Sequence, residues 1–274
     1  HAYSLSTGKE LFTAKSDVYG SYFGASVALC GDNRLAVIGA PYEDGFETSQ
    51  TGTAYIYDLK SGSQRARLVA WDAGEYSHFG TSVACENRKI VVGAPDTGDC
   101  DCWPAVYVFN SNGVQLLKIE NAGEGGSDRF GASVSIWSSY IAVAIPGYYY
   151  SSSVMIFDSM FGEYLMEFSS PDYNIDFAYD IDMSDGMLVV AAPGKEIEDS
   201  YGYGAVYTFD LETGHSRETL VHNSNNYDEA IGQHAAIYGK TVIVSGNVMP
   251  VLDIITEPAQ IKRRDASFGR SAER

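Results

Sequence analysis

A near-identical pentapeptide recurs along the chain: Phe23-Gly24-Ala25-Ser26-Val27, Phe79-Gly80-Thr81-Ser82-Val83 and Phe130-Gly131-Ala132-Ser133-Val134, with looser versions at Phe177-Ala178 and Ile231-Gly232. The starts lie 56, 51, 47 and 54 residues apart. A period of this size marks an array of supersecondary units, each too small to bury its own apolar face and completed only by its neighbours. Repetition of this kind constrains the fold more than any single motif does.

Each unit contains further strand signals. About fifteen residues after each start comes an apolar run that halts at a strand breaker: Val37-Ile38-Gly39-Ala40-Pro41, Val91-Val92-Gly93-Ala94-Pro95, Val143-Ala144-Ile145-Pro146 and Val190-Ala191-Ala192-Pro193, with Val244-Ser245-Gly246 last. An aromatic and aliphatic run closed by a glycine turn follows, as in Ala54-Tyr55-Ile56-Tyr57 to Gly62 and Val206-Tyr207-Thr208-Phe209 to Gly214. A last short strand, such as Arg67-Leu68-Val69, completes the unit. The 28 Gly, 20 Tyr and 12 Phe suit many short strands joined by tight turns, so helix is a minority at best.

Four antiparallel strands per unit describe one blade of a β-propeller. Tyr3-Ser4-Leu5-Ser6-Thr7-Gly8 reads like Phe209-Asp210-Leu211-Glu212-Thr213-Gly214, a third strand and its turn, whereas the last repeat supplies only first and second strands near 232–236 and 241–244. The two halves make one blade. The expected fold is therefore all-β: a five-bladed β-propeller of four-stranded antiparallel blades, with the ring closed by the N-terminal strands pairing with the C-terminal blade, which removes two sheet edges. The alternative is that Val251-Leu252-Asp253-Ile254-Ile255 is its own third strand in a longer propeller. Residues 1–256 are read as a single propeller domain, and 257–274, with Lys262-Arg263-Arg264, as a basic, mobile tail.

The pairing of Phe-Gly with Gly-Ala-Pro, as in Phe23-Gly24 with Gly39-Ala40-Pro41 and Phe79-Gly80 with Gly93-Ala94-Pro95, resembles the FG-GAP repeat family, which includes the propeller of integrin α-chains. The resemblance covers roughly residues 16–246. It implies a propeller fold and adhesion or ligand binding outside the cell or at its surface. Calcium-binding family members carry an Asp-rich loop of oxygen ligands between the first two strands. Here those connections are short, as in Gly31-Asp32-Asn33-Arg34 and Ser138-Ser139, so the usual calcium loop is absent. No cofactor and no metal site are expected. Asp180, Asp182 and Asp185 come nearest to a ligand set, but Asp180 and Asp182 alternate along a strand and read as a solvated face.

The formal net charge is −18, which repels nucleic acid and anionic bilayers. No apolar run is long enough to span a membrane as a helix, and no charged segment followed by an apolar core opens the sequence. Loops entering each first strand, and those joining second to third strands, should emerge on one end of a propeller. They carry nineteen acidic residues against Lys15, Arg129 and Lys195, placing about sixteen of the eighteen net charges there. Tyrosines are interleaved with these acids. The candidate ligand-binding face comprises Glu43, Asp44, Glu47, Asp99, Asp101, Trp103, Tyr148, Tyr149, Tyr150, Asp199, Tyr201 and Tyr203. Acids among amphipathic rings suit a cationic protein patch, or a sugar stacked on the rings with carboxylates accepting its hydroxyls.

Of the four cysteines, Cys100 and Cys102 read as a small local disulfide or two free thiols, and Cys30 and Cys85 as small hydrophobes near turns. None has the spacing of a structural zinc site. The five histidines are scattered, and neither a nucleophile elbow nor an H-E-x-x-H motif is present. The expected function is a non-catalytic extracellular or cell-surface recognition module for a protein or glycan. The alternatives are a structural or accessory subunit of a larger assembly, docked through propeller faces or the basic tail, and a polysaccharide-acting hydrolase or lyase using paired carboxylates.

Overall fold

The computed structural model describes residues 1–31, 34–44, 49–72, 74–96, 103–121, 129–147, 152–170, 176–195, 204–221, 231–239 and 241–246. Among these, all regular structure is β, and no helix is long and apolar enough to cross a membrane. Four sheets have four antiparallel strands each: β3 (Val27–Cys30), β4 (Leu35–Ala40), β5 (Thr53–Asp58) and β6 (Gln64–Leu68); β7 (Ser82–Glu86), β8 (Lys89–Ala94), β9 (Ala105–Asn110) and β10 (Gln115–Glu120); β11 (Val134–Trp137), β12 (Tyr140–Ile145), β13 (Ser153–Asp158) and β14 (Tyr164–Ser169); β15 (Asp180–Ser184), β16 (Met187–Ala192), β17 (Ala205–Asp210) and β18 (Ser216–Val221). Two further sheets have two strands each, β1 (Ala2–Tyr3) with β2 (Glu10–Phe12) and β19 (Ile231–Tyr238) with β20 (Thr241–Gly246). We refer to the four-stranded sheets as blades 1 to 4. Their meander order is that of propeller blades, and each blade matches one sequence repeat strand for strand.

The first strands β3, β7, β11, β15 and β19 are neighbours in that order. They are rich in Ala and Ser, the small residues that strands crowded toward a centre accept. The second strands are almost wholly buried, because both of their faces meet an adjacent sheet, whereas the fourth strands β6 and β14 are mostly exposed. Apolar clusters fill the successive interfaces. Val37, Ile56, Phe79, Ile90 and Tyr107 lie between blades 1 and 2, Val91, Val108, Phe130 and Ile141 between blades 2 and 3, and Ala142, Ile156, Phe177 and Leu188 between blades 3 and 4. Val189, Val206, Ile237 and Val244 join blade 4 to the β19–β20 sheet. Phe12 and Ala14 cover Ile38, Tyr55 and Tyr57 on the remaining face of blade 1.

The repeat signature has a packing explanation. Phe79, Phe130 and Phe177 are fully buried, each edge-on to an aromatic ring of its own blade's third strand: Tyr107 and Phe109, Phe157, and Tyr207 and Phe209. Gly80 follows with a φ of 94° and lies so close to blade 1 that a Cβ there would stand 2.4 Å from the Thr53 carbonyl oxygen. Only glycine fits both the conformation and the gap. The glycine of Gly-Ala-Pro serves the same seam from the other side: a Cβ on Gly39 would meet the Gly80 carbonyl oxygen at 2.0 Å.

The β1–β2 turn repeats the hydrogen bonds of the blade hairpins. Ser4 N donates to Lys9 O and Gly8 N to Ser4 O, as Asp58 N donates to Ser63 O and Gly62 N to Asp58 O. Of the two terminal sheets, β1–β2 thus turns like the third-to-fourth-strand hairpins of the blades. Among the described residues the two terminal sheets remain separate, so the expected closing pair is not formed there. Residues 251–255 and the tail at 257–274 lie outside the described residues.

Cys30 and Cys85 form a disulfide across a sequence separation of 55. This corrects their reading as unpaired small hydrophobes. Both sit in first strands, and adjacency of β3 and β7 brings together two cysteines that belong to different repeats. Cys100 and Cys102 lie outside the described residues.

Candidate functional site

The loops at the end where first strands begin are tied together between blades 1 and 2. Tyr42 N donates to Ser21 O, Tyr76 N to Ser49 O and Phe79 N to Thr51 O, and Gly52 bridges Phe79 in parallel fashion. The loop entering blade 2 is thereby laced to the β4–β5 connection of blade 1. These loops bring three rings into a row, with centroids 4.7 Å apart for Tyr22 and Tyr42 and 4.6 Å for Tyr42 and His78. Successive ring planes tilt by 45° and 46°. Tyr22 is 67% and Tyr42 41% exposed. His78 Nδ1 hydrogen bonds Asp96 Oδ2 at 2.6 Å, and its Nε2 lies 3.2 Å from Gln50 Oε1.

Tyr22 and His78 both occupy the position before Phe-Gly, and both have left-handed backbone, with φ of 53° and 50°. Arg129, in the same position of blade 3, has φ 80°. Side chains other than Gly, Asn and Asp rarely adopt this conformation. In blades 2 and 3 the following Phe is buried and the Gly after it lies against the neighbouring blade, which turns the preceding residue toward the loop end.

The expected site residues fall into three groups. Asp44 is exposed and accepts Gln50 N at 2.9 Å, and Trp103 is exposed just before β9. Glu47, Asp99, Asp101, Tyr148, Tyr149, Tyr150, Asp199, Tyr201 and Tyr203 lie outside the described residues. Glu43 differs from the outward-facing group expected: only 3% exposed, it accepts the Tyr55 hydroxyl at 2.6 and 2.7 Å and Arg67 at 3.0 Å. Burial and the Glu43 carboxylate push the Tyr55 phenol up to about 12. Blade 2 repeats the arrangement. Tyr107 donates to Asp72 at 3.0 Å, and Lys118 pairs with Asp72 and Glu120. Both cations come from fourth strands, in register opposite the tyrosines. Part of the negative charge at this end is therefore neutralised from below.

The first strands line a cavity of about 610 Å³ with Ser26, Ser82, Ser133, Asp180, Asp182 and His234 among its walls. Asp180 and Asp182 are not a solvated face. Asp180 accepts the Ser133 hydroxyl at 3.0 Å and Ala235 N at 3.2 Å, and Asp182 accepts the Ser135 hydroxyl at 3.1 Å and Ile237 N at 2.9 Å. Each carboxylate bridges β11 to β19 across β15. Burial pushes the Asp182 carboxyl above the usual range, against the pull of its backbone donors. Saturated in this way, the pair is cement between strands. Among the described residues, no group of three or more His, Cys, Asp or Glu is placed to hold a metal ion.

Sequence reading missed the row of rings because His78 carries no motif; its one signal is the slot before Phe-Gly, shared with Tyr22. Comparison with known proteins bears on the repeats themselves. No curated protein compared with the chain matches it significantly. Residues 11–57 and 63–109 match the FG-GAP repeat family model, the first running from β2 into β5, the third strand of blade 1, and the second from β6, the fourth strand of blade 1, into β9, the third strand of blade 2. The chain carries FG-GAP repeats, the family its Phe-Gly and Gly-Ala-Pro motifs resemble.

Proposed function

We propose that this chain is a non-catalytic recognition module acting outside the cell or at its surface, binding a protein or glycan ligand through the loop end of the propeller. FG-GAP repeats commonly serve extracellular binding. The observation that carries the reading is the ring row Tyr22–Tyr42–His78, whose two tyrosines are exposed and which is held by hydrogen-bonded loops from two blades. Rigid sheets carrying interlaced loops are a common way to present binding residues. We further propose five blades, the fifth assembled from β19–β20 inside and β1–β2 outside. The turn of β1–β2, its packing on blade 1 and the family match beginning at residue 11 support this. Binding of the immobilised chain to panels of extracellular proteins and glycans tests the recognition reading. Saturable binding weakened by Tyr22→Ala and Tyr42→Ala is expected; binding that ignores both substitutions refutes the assignment to this end.

A second reading, an accessory subunit of a larger assembly, is favoured by one turn. Asp58, Asn110, Asp158 and Asp210 each cap the third-to-fourth-strand turn of their blade with a side-chain oxygen. The capped residues are Lys60 and Ser61 in blade 1, Asn112 and Val114 in blade 2, and Glu212 and Thr213 in blade 4, but Met160 and Phe161 in blade 3, which are 66% and 68% exposed. The turn itself does not require apolar side chains. A co-purifying partner lost on Met160→Ser with Phe161→Ser would support this second reading.

A further inference from the structure

Resting on the recognition reading, we infer that the ring row at the seam of blades 1 and 2 takes a neutral carbohydrate chain, with Tyr22 and Tyr42 as platform, His78 backing Tyr42, and Asp96 and Gln50 as hydroxyl partners. A pyranose presents a face of C–H groups and a rim of hydroxyls. It therefore needs an apolar ring beneath it and acceptors or donors beside it. The seam offers both. Three rings follow one another at 4.7 and 4.6 Å, and their 45° and 46° tilts make a curved track rather than a closed stack. Two of the three are held in left-handed backbone, a strained conformation filled here with Tyr and His rather than Gly or Asn. Asp96 binds His78 through Oδ2, and its side chain is half-exposed.

Charge decides the ligand class. A net charge of −18 works against sulfated or uronate-rich chains. Of the described acids at this seam, Glu43 is taken up by Tyr55 and Arg67 and Asp72 by Tyr107 and Lys118, so the charge beneath the ring row is partly neutralised from within the blades. Tyr22 and Tyr42 stay exposed above them. The assignment separates this patch from the central cavity, whose carboxylates are already saturated by protein donors.

The test is calorimetric titration of the full chain with hexasaccharides of β-1,4-glucan, β-1,3-glucan, mannan and chitin, beside a heparin hexasaccharide and a lysine-rich peptide. The expected result is binding of at least one neutral hexasaccharide, no binding of heparin, and a loss of tenfold or more in affinity on Tyr42→Ala, with an unchanged thermal melt. Tyr22→Ala should weaken binding less. Neutral binding indifferent to both substitutions overturns the proposal. Binding of the lysine-rich peptide alone, lost on charge reversal at the acidic loops but kept in Tyr42→Ala, overturns it while leaving the recognition reading intact. Should the folded chain bind none of the neutral sugars, the proposal also falls, and the protein panel above then decides the recognition reading separately.

Discussion

The two sides of the central cavity hold their strands together by different chemistry. Between blades 1, 2 and 3, the fourth position of each signature is serine, and its hydroxyl reaches one carbonyl of the next blade: Ser26 to Gly80 O at 2.8 Å and Ser82 to Gly131 O at 2.7 Å. The Cys30–Cys85 disulfide adds a covalent tie. Between blade 3 and the last hairpin, the same position is Asp180, with Asp182 two residues on, and each carboxylate collects donors from both neighbours. A single neutral hydrogen bond contributes about 1 kcal/mol, and one to a charged acceptor about 1.5–3 kcal/mol. The aspartate side thus gains more per residue but carries the cost of buried charge, while the cysteine side draws its extra strength from a cross-link.

The largest test of this contrast is the cross-link. Closing a loop of 55 residues restricts the unfolded chain by about 4 kcal/mol in the loop-entropy treatment. Cys85→Ala should therefore lower the denaturant midpoint strongly, and a chemical reductant should do the same to the parent chain. An unchanged midpoint would show that the serine contacts alone suffice on that side. Asp182→Ala, which strands the Ile237 N–H and the Ser135 hydroxyl, should cost about 2–3 kcal/mol and speed hydrogen exchange at the Ile237 amide. Ser82→Ala should cost about 1 kcal/mol; a cost equal to that of Asp182→Ala would erase the distinction.

Acid acts in opposite senses on two aspartates of blade 4, one at the cavity and one at an outer turn. Because burial raises the Asp182 carboxyl in the fold, the native state keeps that proton after the unfolded chain has released it. Its contribution is full below the unfolded value of 3.8 and is lost as pH rises through the raised value. The stability of the parent relative to Asp182→Asn should fall as pH climbs through that window. Asp210 behaves oppositely, held at about 2 by the Thr213 amide and then by Arg217. Its contribution is present above 3.8 and lost as pH falls toward about 2. Paired melts of the parent and Asp210→Asn across that range should converge at the acid end, the smallest effect of the set.

Blade boundaries were legible in the sequence because the second strands stop at Pro41, Pro95, Pro146 and Pro193, and the signature repeats in phase with the sheets. Contacts between repeats were not. Reading Cys30 and Cys85 each within its own unit hid the bond that joins them, because only the side-by-side placement of β3 and β7 makes them neighbours. Alternation placed Asp180 and Asp182 on one side of a strand, but not that this side faces two other strands rather than water. Glu43 was counted as a displayed acid because its partner Arg67, 24 residues on, comes opposite Tyr55 only once the β5–β6 hairpin forms.

The second matched repeat is offset from the sheet by one strand, beginning on the outer strand of one blade and ending on the third strand of the next. The unit is thus stitched into two bodies, like a roof tile lapping its neighbour. Excising the second matched span removes four consecutive strands, β6 to β9, and brings β10 after β5 into the place of β6, whereas a cut of fewer strands leaves a sheet incomplete. Such a chain can change its number of blades only in whole tiles, and no tile keeps its shape alone.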